Sequence, residues 1–292
     1  MRITEQAVRE LVAAQFPQWA DLSVRQVRSA GTVNAIFRIG SGMAARFPLA
    51  DGEIQLHKEM YAARLLFGLT RFPTPEPIAI GEPGEGFPLP WSVQTWLPGT
   101  IATDDDPGES DAFARDLAEL IAGMRSAGTG GRTFDGRGRG GVIASHDEWV
   151  RTCLRKSERL LPVPLLEKLW DRMRELPRGS DPDVMTHGDL MPGNLLVAGG
   201  RLTGVLDVGG YGPADPALDL TCAWHLLEPG PRRVLRAELG CDDLEWERGR
   251  AWALEQSLGL VWYYETSNPV MSRIGRRTLS RILSPTRSGT RS

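Results

Sequence analysis

Lysine is scarce in this chain of 292 residues: Lys58, Lys156 and Lys168 are the only three, so almost all its positive charge is arginine. Cysteine is equally sparse. Cys153, Cys222 and Cys241 are too few and too unevenly spaced for a disulfide framework or a zinc site, which points to a reducing cytoplasm. The formal charge of −3, with no basic stripe before the tail, excludes a nucleic-acid footprint. No apolar run approaches membrane-spanning length, and residues 1–16 are charged and amphipathic rather than a signal peptide, so no membrane partner is expected. There is no internal repeat. What is present is a 41% apolar composition with nine tryptophans, which argues for an ordered globular protein, long enough for two domains or one bilobal unit.

Residues 181–220 carry the chemistry. A short apolar run, Val184-Met185-Thr186, ends in His187-Gly188-Asp189; Asn194 follows after four residues and leads into Leu195-Leu196-Val197. Ala198-Gly199-Gly200-Arg201 reads as a hairpin turn, since glycine supplies the positive φ of tight turns. The return strand, 202–206, delivers Asp207 at its end with Val208-Gly209-Gly210 behind it. Folding this hairpin is expected to converge Asp189, Asn194 and Asp207 on one cleft. Two carboxylates and an amide oxygen are hard ligands suited to Mg²⁺ carrying nucleotide phosphates.

His-x-Asp, four residues, Asn, and a later Asp-x-Gly is the catalytic and metal-binding pattern of the kinase fold. With Gly188 in second place and Asp215-Pro216-Ala217-Leu218-Asp219-Leu220 downstream, the segment resembles the aminoglycoside phosphotransferase family of antibiotic kinases. Choline and homoserine kinases are more distant versions. The resemblance implies an α+β, bilobal protein kinase-like fold with a small antiparallel-sheet N-lobe and a mostly helical C-lobe. The nucleotide-binding lobe would span residues 1–97 and the helical lobe 98–283, leaving 284–292 as a disordered tail.

Taken from its start, the chain predicts a helix behind Thr4 (Val8, Leu11, Val12 and Phe16 at helical spacing), then strands over 22–28, 34–39 and 43–47. Gly31, Thr32 and Asn34 fall where the family covers the nucleotide phosphates with a loop. Gly40-Ser41-Gly42 fits a relaxed dinucleotide pattern, but Arg46-Phe47-Pro48 follows where a Rossmann helix is required, so it reads as a hairpin turn. No lysine sits on the third strand, and the resemblance places Arg46 in the phosphate-gripping position instead; arginine's planar fork suits the task. Its partner would be Glu59, on a helix over 53–66. Proline-rich 72–77 is extended, strands follow over 78–81 and 91–97, and the lobes join at 97–99. In the family the joining segment, here Gln94, Thr95, Trp96 and Leu97, hydrogen-bonds the base. Trp96 either packs on that base or belongs to the core.

Beyond the joint, Asp104-Asp105-Asp106 precedes a helix over 111–125 and suits its dipole. Residues 127–141 hold seven glycines and three arginines and read as a mobile loop. Ser145-His146-Asp147-Glu148 is a capping-box pattern opening a helix to 160, and a second helix spans 165–176. Helices are then expected over 218–227, 232–239, 242–265 and 270–283.

By this reading Asp189 is the catalytic base, Asn194 and Asp207 hold Mg²⁺, and the partners are ATP or GTP and a small hydroxyl-bearing substrate. His187 buttresses the loop. Asp215 and Asp219 either bind a cationic substrate, or cap the following helix or anchor the loop. Val208 stands where many kinases have an aromatic residue. The expected activity is transfer of the γ-phosphoryl to an aminoglycoside hydroxyl. The alternatives are a macrolide or metabolite kinase, for which Trp246, Trp252, Trp262, Tyr263 and Tyr264 would suit an apolar lactone, and a non-catalytic nucleotide-binding module. Acceptor, donor preference and oligomeric state are open at this point.

Overall fold

The computed structural model describes residues 3–27, 33–49, 56–179 and 181–284. The chain forms two compact units, Met1–Gly99 with Thr203–Tyr211, and Thr100–Leu202 with Gly212–Ser292. The N-terminal part is an antiparallel sheet and the C-terminal part mostly helical, as a kinase-like fold requires. The division differs from a single cut at residue 97, because Thr203–Tyr211 returns to the first unit. The Val205 N–H donates to Pro73 O at 2.9 Å, and a Cβ on Gly209 would lie 2.9 Å from Glu59 Cβ.

In the first unit, α1 (Glu5–Gln15) starts where Thr4 Oγ1 accepts from the Ala7 N–H at 3.2 Å, and it buries Val8, Leu11 and Val12. The strands β1 (Val24–Val27), β2 (Asn34–Ile39) and β3 (Met43–Pro48) form an antiparallel meander. After α2 (Leu56–Leu66), β4 (Pro77–Gly81) and β5 (Trp91–Thr95) complete the sheet in the order β1-β2-β3-β5-β4. Alternation on β2 and β3 turns Phe37, Ile39, Ala45 and Phe47 inward, and Phe47 stacks on Trp91 at 4.8 Å between centroids. Gly40, at φ 58°, makes the β2–β3 turn, so no helix follows those glycines. Gly31, Thr32 and the start of the helix expected from residue 53 lie outside the described residues.

The second unit begins with β6 (Thr100–Ile101) and α3 (Asp111–Ser126), whose Phe113, Leu117, Leu120, Ile121 and Met124 are buried. Two short helices, α4 (Asp147–Lys156) and α5 (Val163–Met173), precede the strands β7 (Val184–Thr186) and β8 (Leu195–Ala198). Then β9 (Arg201–Val205) leads out of this unit and β10 (Gly212–Ala214) returns to pair with β7. Helices α6 (Cys222–Leu226), α7 (Pro229–Leu239), α8 (Asp243–Tyr263) and α9 (Pro269–Leu283) follow. The helix expected from residue 218 opens instead as a 3-10 stretch, Pro216–Thr221, before α6. Asp116 on α3 is buried and grips Arg201 through two 2.6 Å bonds, while also accepting the Leu202 N–H at 3.0 Å; this pins the β8–β9 turn.

One expected cap is not made, and the acidic triplet finds other partners. α3 is capped by Ser110, whose Oγ accepts the Phe113 N–H at 3.1 Å, while Asp106 of the acidic triplet binds Arg277 and the Gly108 N–H. Ser145 donates to Val142 O at 2.6 Å inside a 3-10 turn, so α4 opens at Asp147 without a side-chain cap. Among the described residues the cysteines are free and buried. Burial pushes Cys153 and Cys241 up to about 11 and Cys222 higher still, so these thiols are neutral packing groups rather than nucleophiles.

Candidate active site

In the second unit β7 ends at Thr186, and Gly188, at φ 80°, turns the chain so that Asp189 follows. The turn is held from behind by the buried Asp219 carboxylate, which accepts the His187 N–H at 2.8 Å and the Gly188 N–H at 2.9 Å. Burial raises the Asp219 carboxyl above its usual range, and those two N–H groups with nearby His187 and Arg125 pull the other way. His187 is buried, and its Nδ1 accepts the Asp189 N–H at 3.3 Å, a buttressing role. Asp215 is also internal. Its carboxylate binds Arg248 and accepts from Trp252 Nε1 at 3.1 Å and from the Ala217 N–H at 3.1 Å. Both downstream aspartates therefore anchor the fold and present no carboxylate to a substrate.

The Asp189 carboxylate is surrounded by donors. Asn194 Nδ2 donates to Oδ2 at 3.0 Å and to the Asp189 carbonyl at 2.9 Å, locking the two residues together. Gln256 Nε2 donates to Oδ1 at 2.7 Å, and Arg139 Nη2 reaches the same oxygen at 3.2 Å. Since Nδ2 of Asn194 faces Asp189, its Oδ1 is the atom left to face a cation, and amide oxygens are ordinary Mg²⁺ ligands. Gln256 is itself oriented: its Oε1 lies 3.1 Å from Nε2 of His225, whose Nδ1 lies 2.9 Å from Thr278 Oγ1. Burial lowers His225 to about 4, so it is neutral, and the amide oxygen of Gln256 selects the tautomer with the proton on Nε2. That leaves the Gln256 NH₂ to point at Asp189.

Arg139 and Gln256 were not anticipated from sequence. They lie 50 and 67 residues from Asp189, on the glycine-rich loop and on α8. A signal was present for Gln256: Arg248, Glu255, Gln256 and Ser257 are polar residues in a helix buried along most of its length, and such residues need partners. The loop is irregular, as its glycines suggest, yet it is moored. His146 Nε2 contacts Gly138 O at 3.1 Å, the Asp215 N–H donates to Gly140 O at 2.9 Å, and Arg248 donates to Gly141 O at 3.3 Å.

The His146 mooring is pH-dependent. Nδ1 sits 2.9 Å from Glu255 Oε1, and both ring partners are acceptors, so both contacts are made as N–H donors only by the imidazolium. The Glu255 hydrogen bond raises His146 above its ordinary 6.5, against burial and Arg139, which lower it. A raised histidine stabilises the fold below its unfolded value and loses that contribution as pH rises through the folded one. The melting-temperature gap between wild type and His146→Ala is therefore expected to be widest near pH 6 and to shrink as pH climbs. A pH-independent gap in thermal melts would contradict the assignment.

In the first unit a small open cavity is lined by Arg46, Glu59, Gln94, Met60, Val208 and Gly209, among others. Arg46 on β3 is paired with Asp207 at 2.5 Å rather than with Glu59, the partner expected from sequence. The reason is local. Asp207 stands at φ 54°, the only positive-φ residue other than glycine among those described, and that left-handed turn aims its carboxylate at Arg46. Glu59 still faces the same cavity. Of the other expected contacts, Asn34 opens β2 opposite Pro48, Thr95 Oγ1 accepts the Glu76 N–H at 2.8 Å, and Leu97 is half-buried beyond β5. Trp96 is half-buried, with the Arg38 guanidinium 5.0 Å above its ring. None of these four lines the cavity. Among the described residues no three His, Cys, Asp or Glu side chains form a metal cluster.

An antiparallel five-stranded sheet with one helix-backed cavity, and a helical unit presenting a His-Gly-Asp turn locked to an asparagine, define a kinase-like phosphotransferase architecture. The model of the phosphotransferase enzyme family matches residues 20–252, and the chain belongs to that family. It is similar to an aminoglycoside 3'-phosphotransferase of Escherichia coli, 42% identical over 81 residues, which are 26% of this chain and 30% of that protein. A second, from Salmonella typhimurium, is 36% identical over 81 residues, 27% and 30% of the two chains. The match thus spans under a third of these relatives' length. Among solved structures, a GDP complex of aminoglycoside 2'-phosphotransferase-IIIa superposes with a TM-score of 0.66 at 17% identity, covering 96% of this chain and 98% of that one. The macrolide 2'-phosphotransferase MphH of Brachybacterium faecium gives 0.60 at 18% identity over 94% and 97%. These likenesses establish the fold.

Proposed function

We propose that this protein transfers the γ-phosphoryl of ATP or GTP to a hydroxyl of an aminoglycoside-type antibiotic, in the cytoplasm. The observation that carries the reading is the Asp189 carboxylate, held by Asn194 and Gln256 at the turn after β7. A carboxylate fixed in this way accepts the proton of the attacking hydroxyl, and phosphoryl transfer demands mainly alignment and charge neutralisation. Arg46 grips phosphate oxygens, and Glu59 and Gln94 share its cavity wall. Asn194 and Asp207 are the residues that would hold Mg²⁺, since an amide oxygen and a carboxylate are hard donors of the kind that ion takes. When bound, the ion supplies charge neutralisation at the phosphates. Gly31, Thr32, Asn34, Thr95, Trp96 and Leu97 are proposed to contact the nucleotide on family resemblance alone.

The names of the similar proteins, aminoglycoside phosphotransferases with GDP or ATP among their ligands, support this donor and acceptor class. A macrolide acceptor is the second reading. Trp246 and Trp252 are buried and unavailable to it, but Trp149 and Tyr263 are exposed, and with Trp262 they form an aromatic run where α4 meets the end of α8. The test is nucleoside-diphosphate release with Mg²⁺ against aminoglycosides, macrolides and small alcohols. Stimulation by an aminoglycoside is expected. Tight nucleotide binding with no acceptor-stimulated turnover would instead leave a nucleotide-binding module.

A further inference from the structure

We propose that Arg139 is a catalytic residue whose guanidinium neutralises the phosphoryl group as it passes to the acceptor; this rests on the phosphotransferase reading above. A phosphoryl group in transfer spreads negative charge over its equatorial oxygens, and rate comes from cations and donors fixed where that charge lies. The catalytic stretch carries none: no lysine or arginine occurs from Thr186 to Gly200. The three lysines are on α2, α4 and α5, all exposed. The cation paired with Asp189 among the described residues is Arg139, at 3.2 Å from Oδ1.

Arg139 is positioned to act beside Asp189. The bond to Asp189 engages Nη2 of a side chain that is only partly buried, 28% exposed. A planar guanidinium carries five N–H donors, and its fork matches two phosphate oxygens. Its backbone is fixed independently of Asp189, because the neighbouring carbonyls of Gly138, Gly140 and Gly141 are bound by His146, the Asp215 N–H and Arg248. Gly140 allows this approach: at φ 116° a Cβ there would lie 2.7 Å from Ala214 Cβ. The contact with Asp189 is thus not what keeps the loop in place.

In the step itself the acceptor oxygen forms a bond to the γ-phosphorus as the bond to the β,γ-bridging oxygen breaks. That electron pair leaves on the nucleoside diphosphate, and the acceptor's proton goes to Asp189. Arg139 remains charged throughout, touching both the carboxylate and the moving group.

The experiment compares wild type with Arg139→Ala and Arg139→Lys. The alanine variant is expected to lose about 10²–10³-fold in kcat, with diphosphate affinity and melting temperature little changed. Lysine should keep part of the rate, and guanidinium ion added to the alanine variant should restore part of it. A reading without turnover uses nucleoside diphosphate with Mg²⁺ and aluminium fluoride: fluoride-dependent tightening is expected in wild type and lost in the alanine variant. An alanine variant that turns over normally, runs faster, or loses rate only in step with lost folding overturns the proposal. Should wild type itself show no acceptor-stimulated turnover, the phosphotransferase reading falls. If wild type is active and Asp189→Asn is silent but Arg139→Ala is normal, this inference alone falls.

Discussion

Asp189→Asn is expected to lower kcat by roughly 10³-fold, the range for a lost general base, while nucleotide binds with near-normal affinity. The cavity wall of Arg46, Glu59 and Gln94 does not include Asp189, so ground-state binding of the nucleotide does not depend on it. The substitution is nearly isosteric but not electrostatically neutral. Asp189 accepts from Asn194 on one oxygen and from Gln256 and Arg139 on the other. An amide has only one oxygen, so its NH₂ must face one set of donors in either orientation. That mismatch costs about 1–3 kcal/mol, and melting temperature must be measured beside the rate. Turnover close to wild type, with binding intact, would remove Asp189 from the chemistry.

The part of this site that was legible in sequence is the part encoded locally. Asp189 and Asn194 lie five positions apart between the short strands β7 and β8, with Gly188 turning the chain just before Asp189, so the motif and its spacing marked them within one stretch of sequence. The N-terminal sheet was legible for the same reason: alternation on β2 and β3, a glycine turn between them, and a proline that forbids a following helix. The pairing of Arg46 was not. It turns on one residue, Asp207, adopting a left-handed backbone that no periodicity signals.

Side chains reaching Asp189 from elsewhere in the chain were also invisible, because a hydrogen bond from α8 or from the 127–141 loop depends on tertiary packing. The same packing overrode a local cap signal. Ser145 found a carbonyl at Val142 before it could cap α4. Tryptophans were ambiguous for a related reason: composition does not separate Trp252, fully buried and bonded to Asp215, from Trp149, which faces solvent.

Arg248→Met is the substitution expected to cost most in stability, about 3–5 kcal/mol, the range for breaking a buried ion pair. Both Arg248 and Asp215 are 2% exposed, so neither charge is screened by solvent. Methionine replaces the bulk of the stem but strands the Asp215 carboxylate, which keeps Trp252 Nε1 and the Ala217 N–H, with Arg178 at 3.8 Å. It also frees the carbonyls of Pro177 and Gly141, to which Arg248 donates at 2.7 and 3.3 Å. Asp215→Asn should be milder, since the amide oxygen still accepts and the guanidinium keeps its carbonyl partners. Denaturant melts of the two variants decide this; Arg248→Met within about 1 kcal/mol of wild type, a surface-like effect, would refute it. Arg248 and the Asp215 backbone moor Gly141 and Gly140, the residues just after Arg139, so the Arg248 variant should also lose turnover beyond its loss of folded protein. Asp215→Asn, which leaves the backbone N–H on Gly140, should lose much less.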